Sequence, residues 1–268
     1  LQGEHPRLID EWQMAPQLWD AVRHAVDVTG EEGLFILTGS TTVDEHRINH
    51  SGAGRIARIH MYTMSLHESG DSSGEITLEG LFAGPASIGS RCPLSVEAYA
   101  KLIVRGGWPG VIGKSERASR MLLAGYCDTL VESEIRMVDG VTRDPARTET
   151  ILRAYSRHVG SQAPNTTLLE DVRCHFDSMH INTLDSYLTA LRDLHVIDEL
   201  TAWSPKLRSK TTIRLSNTRH FTDPAIAAYF LQASPENLLQ DINTFGFLFE
   251  SLAIRDLRVY TQRLGGKV

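Results

Sequence analysis

The sequence holds only three cysteines, Cys92, Cys127 and Cys174. An odd number so widely spaced excludes a disulfide framework and gives no zinc-ligand pattern, so all three read as reduced structural thiols. No apolar run approaches the roughly 20 residues that cross a bilayer. The opening Leu-Gln-Gly-Glu-His-Pro-Arg lacks the basic-then-apolar form of a secretion signal, and a cytoplasmic protein without membrane contact is expected. Positive charge is not in excess either: 27 Lys and Arg face 33 Asp and Glu, a net charge of −6 with pI near 6.0. A global basic field is therefore excluded, and any nucleic-acid contact must rest on a local patch. His46, His50, His60 and His67 cluster in sequence but lack an i, i+4 pair with a third ligand, which argues against a metal centre. Trp12, Trp19, Trp108 and Trp203 are scattered and read as core or interface anchors. There is no internal repeat. The chain opens without Met and ends just after a helical pattern, and both ends read as cut.

What is present is ordinary material for folding. At 268 residues, 41% apolar and 22% charged, the chain has room for two domains. Residues 7–9 form a short apolar stretch, residues 16–26 place Leu18, Trp19, Val22 and Val26 on one helical side, and Leu34-Phe35-Ile36-Leu37 is a continuous apolar run. This strand, helix, strand order predicts a parallel βαβ unit whose second strand is buried on both faces. Residues 41–54 are polar and loop-like, and residues 55–64 alternate as a further strand. Helices are expected over 95–105, 117–137 and 145–159.

A new subdomain is expected after Pro164, where Thr167 and Glu170 have capping-box spacing. The helical pattern over 183–194 is followed by short strand patterns at 196–197 and 200–203, a basic connection over 204–210 and a β-rich run over 211–215. Two helices and a hairpin give the order of a winged helix. Further helices are expected over 223–231 and 245–260. The division expected from these patterns is 1–92 as a partial α/β domain, 93–160 as a helical connection, 161–222 as the winged helix, and 223–268 as the start of another module.

Chemistry concentrates at two strand ends. Nucleotide hydrolysis needs Mg²⁺ held by an acid at the carboxyl end of a strand and a neighbouring group that positions the attacking water; Asp10 and Glu11 suit those roles. Thr38 or Ser40, at the tip of the adjacent strand, lies where a γ-phosphate sensor would stand. The alternative is that Asp10 starts a turn and caps the helix near Pro16. Arg55 follows a segment of small residues that could present it to phosphate, although Arg47 and Arg58 are equally near and a surface ion pair is the other reading.

Several stretches, in order, resemble the prokaryotic AAA-like P-loop ATPases that carry a C-terminal domain of unknown function. They are Pro6-Arg7-Leu8-Ile9-Asp10-Glu11-Trp12-Gln13, Phe35-Ile36-Leu37-Thr38-Gly39-Ser40, Gly52-Ala53-Gly54-Arg55-Ile56, Met64-Ser65-Leu66-His67-Glu68 and Gly106-Gly107-Trp108-Pro109. The resemblance implies a Walker B strand ending at Asp10 as the Mg²⁺ ligand and Glu11 as the water-orienting base. It makes Ser40 the sensor and Arg55 a weaker phosphate contact, with ATP and Mg²⁺ as the family's ligands. It also implies a restriction-endonuclease-like continuation, with Glu250 at the position of that fold's first acidic residue.

The expected phosphate-binding loop is missing. Gly113-Lys114-Ser115 fails the G-x-x-x-x-G-K-[ST] pattern, because Trp108 stands where the first Gly belongs and no strand leads into it. Without such a loop the chain is expected to bind nucleotide weakly or not at all, as an inactive piece of an ATPase. The alternative is a DNA-binding or protein-interaction module on the winged helix, with Lys206, Arg208, Lys210 and Arg214 as a basic wing. The helix over 183–194 exposes Asp185 and Asp193 and offers Arg192 as its one obvious cation, a poor DNA reader. An uncovered apolar sheet edge would favour a homo-oligomer or disorder near Asp10.

Overall fold

The computed structural model describes residues 3–40, 52, 54–84, 89–205, 215–266 and 268. The chain is mixed α/β, mostly helical, with one small parallel sheet among the described residues. It divides into two units, Leu1–Met61 with Val138–Gly140, and Tyr62–Met137 with Val141–Val268.

In the first unit β1 (Arg7–Ile9) and β2 (Phe35–Leu37) lie parallel, joined by α1 (Gln17–Thr29), with Leu8 opposite Ile36. A parallel pair needs such a crossover, and α1 ends where Gly30 adopts a left-handed φ of 69°. Trp19, Val22 and Leu34 are buried, and the Trp12 and Trp19 rings lie 4.8 Å apart. The expectation of a strand buried on both faces is corrected here. Side chains alternate along a strand, and Leu8 and Ile36, which share one face, are 62% and 52% exposed. The strand expected over 55–64 is also absent. A turn at 54–55 leads into irregular backbone, and Ile59 and Met61 are exposed, because apolar alternation makes no strand without a neighbour to complete the ladder.

The second unit is a helical body: α2 (Leu78–Ala83), α3 (Val96–Arg105), α4 (Glu116–Thr129), α5 (Pro145–Arg157), α6 (Asn165–Arg173), α7 (Ile181–Asp193), α8 (Pro224–Phe230), α9 (Pro235–Gln240) and α10 (Ile242–Arg263). The starts are written locally. Ser95, Ser115, Asp144, Asp223, Ser234 and Asp241 each accept a backbone N–H of the first turn. The capping box expected at Thr167 is corrected: α6 begins two residues earlier, with Pro164 at its N-cap, so Thr167 already lies inside the first turn. A π turn over Leu130–Glu134 continues α4 and keeps Leu130, Val131 and Ile135 buried.

Short α8 is almost wholly buried and packs on α3, α4, α5 and α10. Cys127 is fully buried nearby, and burial pushes its thiol up to about 12, which makes it a packing residue. Arg143 clasps the turn before α5, donating to the Ile135 carbonyl at 3.2 Å and to Ser186 Oγ at 3.0 Å.

Antiparallel bridges join Ile197 to Phe221 and Leu200 to Thr218, and Gly160 donates to the Arg219 carbonyl while Arg219 donates to that of Ser161. From α5 the chain thus passes through a short segment hydrogen-bonded to residue 219, then α6, α7 and the two bridged arms of a hairpin-like pair. The part of the expected wing at 206–214 lies outside the described residues, and with it Lys206, Arg208, Lys210 and Arg214.

His220, on the returning arm of this hairpin, is sealed against α10. Its Nδ1 lies 2.9 Å from Ser251 Oγ, while Nε2 is buried without a hydrogen-bond partner, 3.9 Å from Glu250 Oε1. Burial, with the Arg258 charge second, lowers its pKa from 6.5 to about 4. The folded state therefore holds a neutral imidazole that the unfolded chain protonates first. Stability present above pH 6.5 is lost as pH falls toward about 4, by about 3 kcal/mol for this one group. Urea unfolding at pH 7 and pH 4.5 checks this, with His220→Gln flattening the acid limb.

Candidate functional site

The parallel pair determines what meets at its carboxyl edge. Thr38 N–H donates to the Ile9 carbonyl at 3.0 Å and Trp12 N–H to the Thr38 carbonyl at 3.1 Å, so the ladder carries both chains past the strands in register. Asp10-Glu11 and Thr38-Ser40 are consequently side by side. Thr38 Oγ1 donates to Asp10 Oδ1, and Ser40 Oγ donates to Glu11 Oε2 at 3.2 Å. Gln13 Nε2 donates to Glu11 Oε2 and, at 3.2 Å, to Ser40 Oγ. Four of the residues chosen from sequence thus form one cluster, and Gln13 joins it unforeseen. Gln13 falls within the stretch that carried the resemblance, but its type alone suggested no role.

Glu11 has a left-handed backbone, φ 49° and ψ 44°, uncommon for a residue with a side chain. This conformation turns the chain out of β1 into the 3₁₀ turn Trp12–Met14 while Glu11 stays at the strand edge. Asp10, Glu11 and Ser40 are exposed and Thr38 is half-buried, so the cluster opens to solvent.

Arg55 is not brought to this cluster by its described contacts. Its Nε pairs with Asp27, which also takes Arg23 at 2.9 Å, and this guanidinium holds the Asp27 carboxyl below its usual range. Asp27 lies ten residues beyond the start of α1, about 15 Å along the helix axis and toward the opposite edge of the sheet. The pair with Asp27 is an observed contact of Arg55.

Among the described residues no group of three or more His, Cys, Asp or Glu could by itself hold a metal. Mg²⁺ usually takes one or two carboxylates and completes its octahedron with water and substrate phosphates. Asp10 and the Thr38 hydroxyl are hard oxygen donors of the right kind. Gly113-Lys114-Ser115 ends at the N-cap of α4 and follows the 3₁₀ turn Pro109–Val111, with no strand leading in. Glu250 is exposed on α10, and no helix is long and apolar enough to cross a membrane among the described residues.

Two family models match the chain. One, described as an AAA domain, covers residues 2–70 and so contains the whole cluster; the other, described as a domain of unknown function (DUF8612), covers residues 96–237. No curated protein and no solved structure is significantly similar to the chain. With more than half of its length inside the second model, the chain belongs to that family of unknown function, and an AAA-like segment precedes the family's domain.

Proposed function

We propose that residues 3–40 supply the Mg²⁺ and water-positioning half of an AAA-type ATPase site. In this reading Asp10 holds the metal, Glu11 orients the attacking water, and Thr38 and Ser40 sense the γ-phosphate. The observation that carries it is the pairing of Asp10 with Thr38 and of Glu11 with Ser40 at the carboxyl edge of a parallel strand pair, where ligands of open α/β sheets bind. The AAA-domain match over the same residues supports it. Mg²⁺, held by Asp10, would supply the positive charge that neutralises charge developing on the nucleotide. The chain's own groups do the rest. The Thr38 hydroxyl fixes the Asp10 carboxylate, and Ser40 and Gln13 hold Glu11 until a water competes for it.

The sequence contains no G-x-x-x-x-G-K-[ST], so the groups that grip β- and γ-phosphates are not among these residues. Weak nucleotide binding by this chain is the consequence. Calorimetric titration with Mg-ATP, alone and with a phosphate-binding loop joined in frame ahead of residue 1, tests the reading. Micromolar binding should require the loop, and Asp10→Asn should remove its Mg²⁺ dependence.

A second reading, a winged helix, takes its support from α6 and α7 followed by two arms that antiparallel bridges join. It would place Lys206, Arg208 and Lys210 on the wing against DNA phosphates. Arg192, the cation of α7, pairs with Glu199 at 3.1 Å. Salt-dependent duplex binding lost in Arg208→Ala with Lys210→Ala would support it.

A further inference from the structure

Between the start of α6, the end of α7 and the base of the hairpin lies a polar cavity of about 330 Å³. Arg219 forms one wall with its side chain only 4% exposed. Its Nε donates to the Ala163 carbonyl at 2.9 Å and its Nη2 to Asn165 Oδ1 at 2.6 Å, so the guanidinium plane is fixed. Its Nη1 is buried and makes no hydrogen bond, lying 3.6 Å from Glu199 Oε1. A desolvated guanidinium with an unused N–H beside a polar cavity is costly unless an acceptor completes it.

Two further features point the same way. Pro164 at the N-cap of α6 provides no side-chain acceptor, and the amides of Asn165 and Thr166 have no acceptor among the described residues, so the positive end of the helix is open where Pro164 and Asn165 line the cavity. Arg192, 40% exposed, stands at the other side and reaches Glu199 Oε1 at 3.1 Å. Asn217 Nδ2 approaches Glu199 Oε2 at 3.4 Å. Two guanidinium groups thus face the single Glu199 carboxylate, and the lining carries more positive than negative charge.

We propose that this cavity binds a phosphate group, with Arg219 and the first amides of α6 as its fixed side and Arg192 as the arm that turns from Glu199 onto the ligand. Guanidinium N–H groups and free helix amides match phosphate oxygens in charge and geometry. The site lies outside the Asp10 cluster and needs none of the wing lysines, so its failure is distinguishable from the failure of either reading above.

The test is amide and side-chain NMR of the whole 268-residue chain, titrated with inorganic phosphate against chloride at constant ionic strength. Saturable shifts are expected together at Asn165, Thr166 and the Asn217 side chain. Arg192→Gln should weaken them about tenfold or more, as the loss of a charge-assisted contact implies. Arg157→Gln, at an arginine that does not line the cavity, should not. Because Arg219 is buried and its replacement risks the fold, Asn217→Ala is the second variant and should also weaken binding. A short DNA duplex that displaces phosphate identifies the ligand as a backbone phosphodiester, whereas phosphate binding indifferent to duplex identifies a free phosphoryl group. Absence of saturable shifts at these positions, or identical shifts in Arg192→Gln, overturns the proposal.

Discussion

Arg255→Met is expected to lower the free energy of unfolding by about 3–5 kcal/mol, as removal of one partner from a buried ionic cluster does. Arg255, Asp223 and Asp256 are 2%, 0% and 7% exposed. Arg255 Nη1 donates to Asp223 Oδ2 at 3.1 Å, and its Nη2 to Asp256 Oδ1 at 2.8 Å. Asp223 Oδ2 also accepts from Thr63 Oγ1 at 2.8 Å and Gly107 N at 2.9 Å, while its Oδ1 caps α8 through Ala225 N at 2.9 Å. Asp256 accepts Leu66 N at 3.0 Å. Burial pushes the Asp256 carboxyl up against the pull of Arg255, so without the guanidinium both acids lose their compensating charge.

The cluster joins residues 63–66 to the 106–107 turn, to α8 and to α10. Gly107 is required at that turn, because a Cβ there would come within 2.4 Å of the Met64 carbonyl oxygen. Denaturant unfolding of the variant checks the prediction, with a loss below about 1 kcal/mol counting against it. Arg255→Lys should recover part of the loss, since it restores the charge but not the forked geometry.

In a chain supplied with a phosphate-binding loop, Glu11→Gln is expected to lower ATP turnover about a hundredfold or more, the usual contribution of a positioned base. Mg-ATP affinity should stay nearly unchanged. Asp10→Asn should instead weaken Mg-ATP binding and lower turnover together, because the proposed role of Asp10 is to hold the metal in the ground state as well as in the transition state. Single-turnover kinetics separate the two. Equal effects of both variants on affinity would contradict the division of roles.

The strand ends were legible because parallel pairing follows from short apolar runs flanking a helical pattern, and pairing in register brings Asp10 to Thr38 and Glu11 to Ser40. Most of the helices were legible through their apolar faces and capping residues. What escaped was tertiary. Nothing local marks Arg255, Asp223 and Asp256 as one buried cluster, since each charge is permitted inside only by partners far along the chain. The same holds for Arg219, whose cavity is assembled from α6, α7 and the hairpin. Residues 55–64 alternate as a strand would, yet a strand depends on a neighbouring ladder that local sequence does not report. The ion pair of Arg55 with Asp27 was not legible because the partner is 28 residues away.

The most direct measurement is Mg-ATP affinity of the 268-residue chain and of its Asp10→Asn variant, each with and without the phosphate-binding loop joined in frame. Binding too weak to saturate at micromolar ATP in the chain alone is predicted, together with micromolar, Mg²⁺-dependent binding once the loop is present and loss of that Mg²⁺ dependence in Asp10→Asn. Micromolar binding by the chain alone, unchanged by Asp10→Asn, would contradict the assignment of this strand edge as the metal half of an ATPase site.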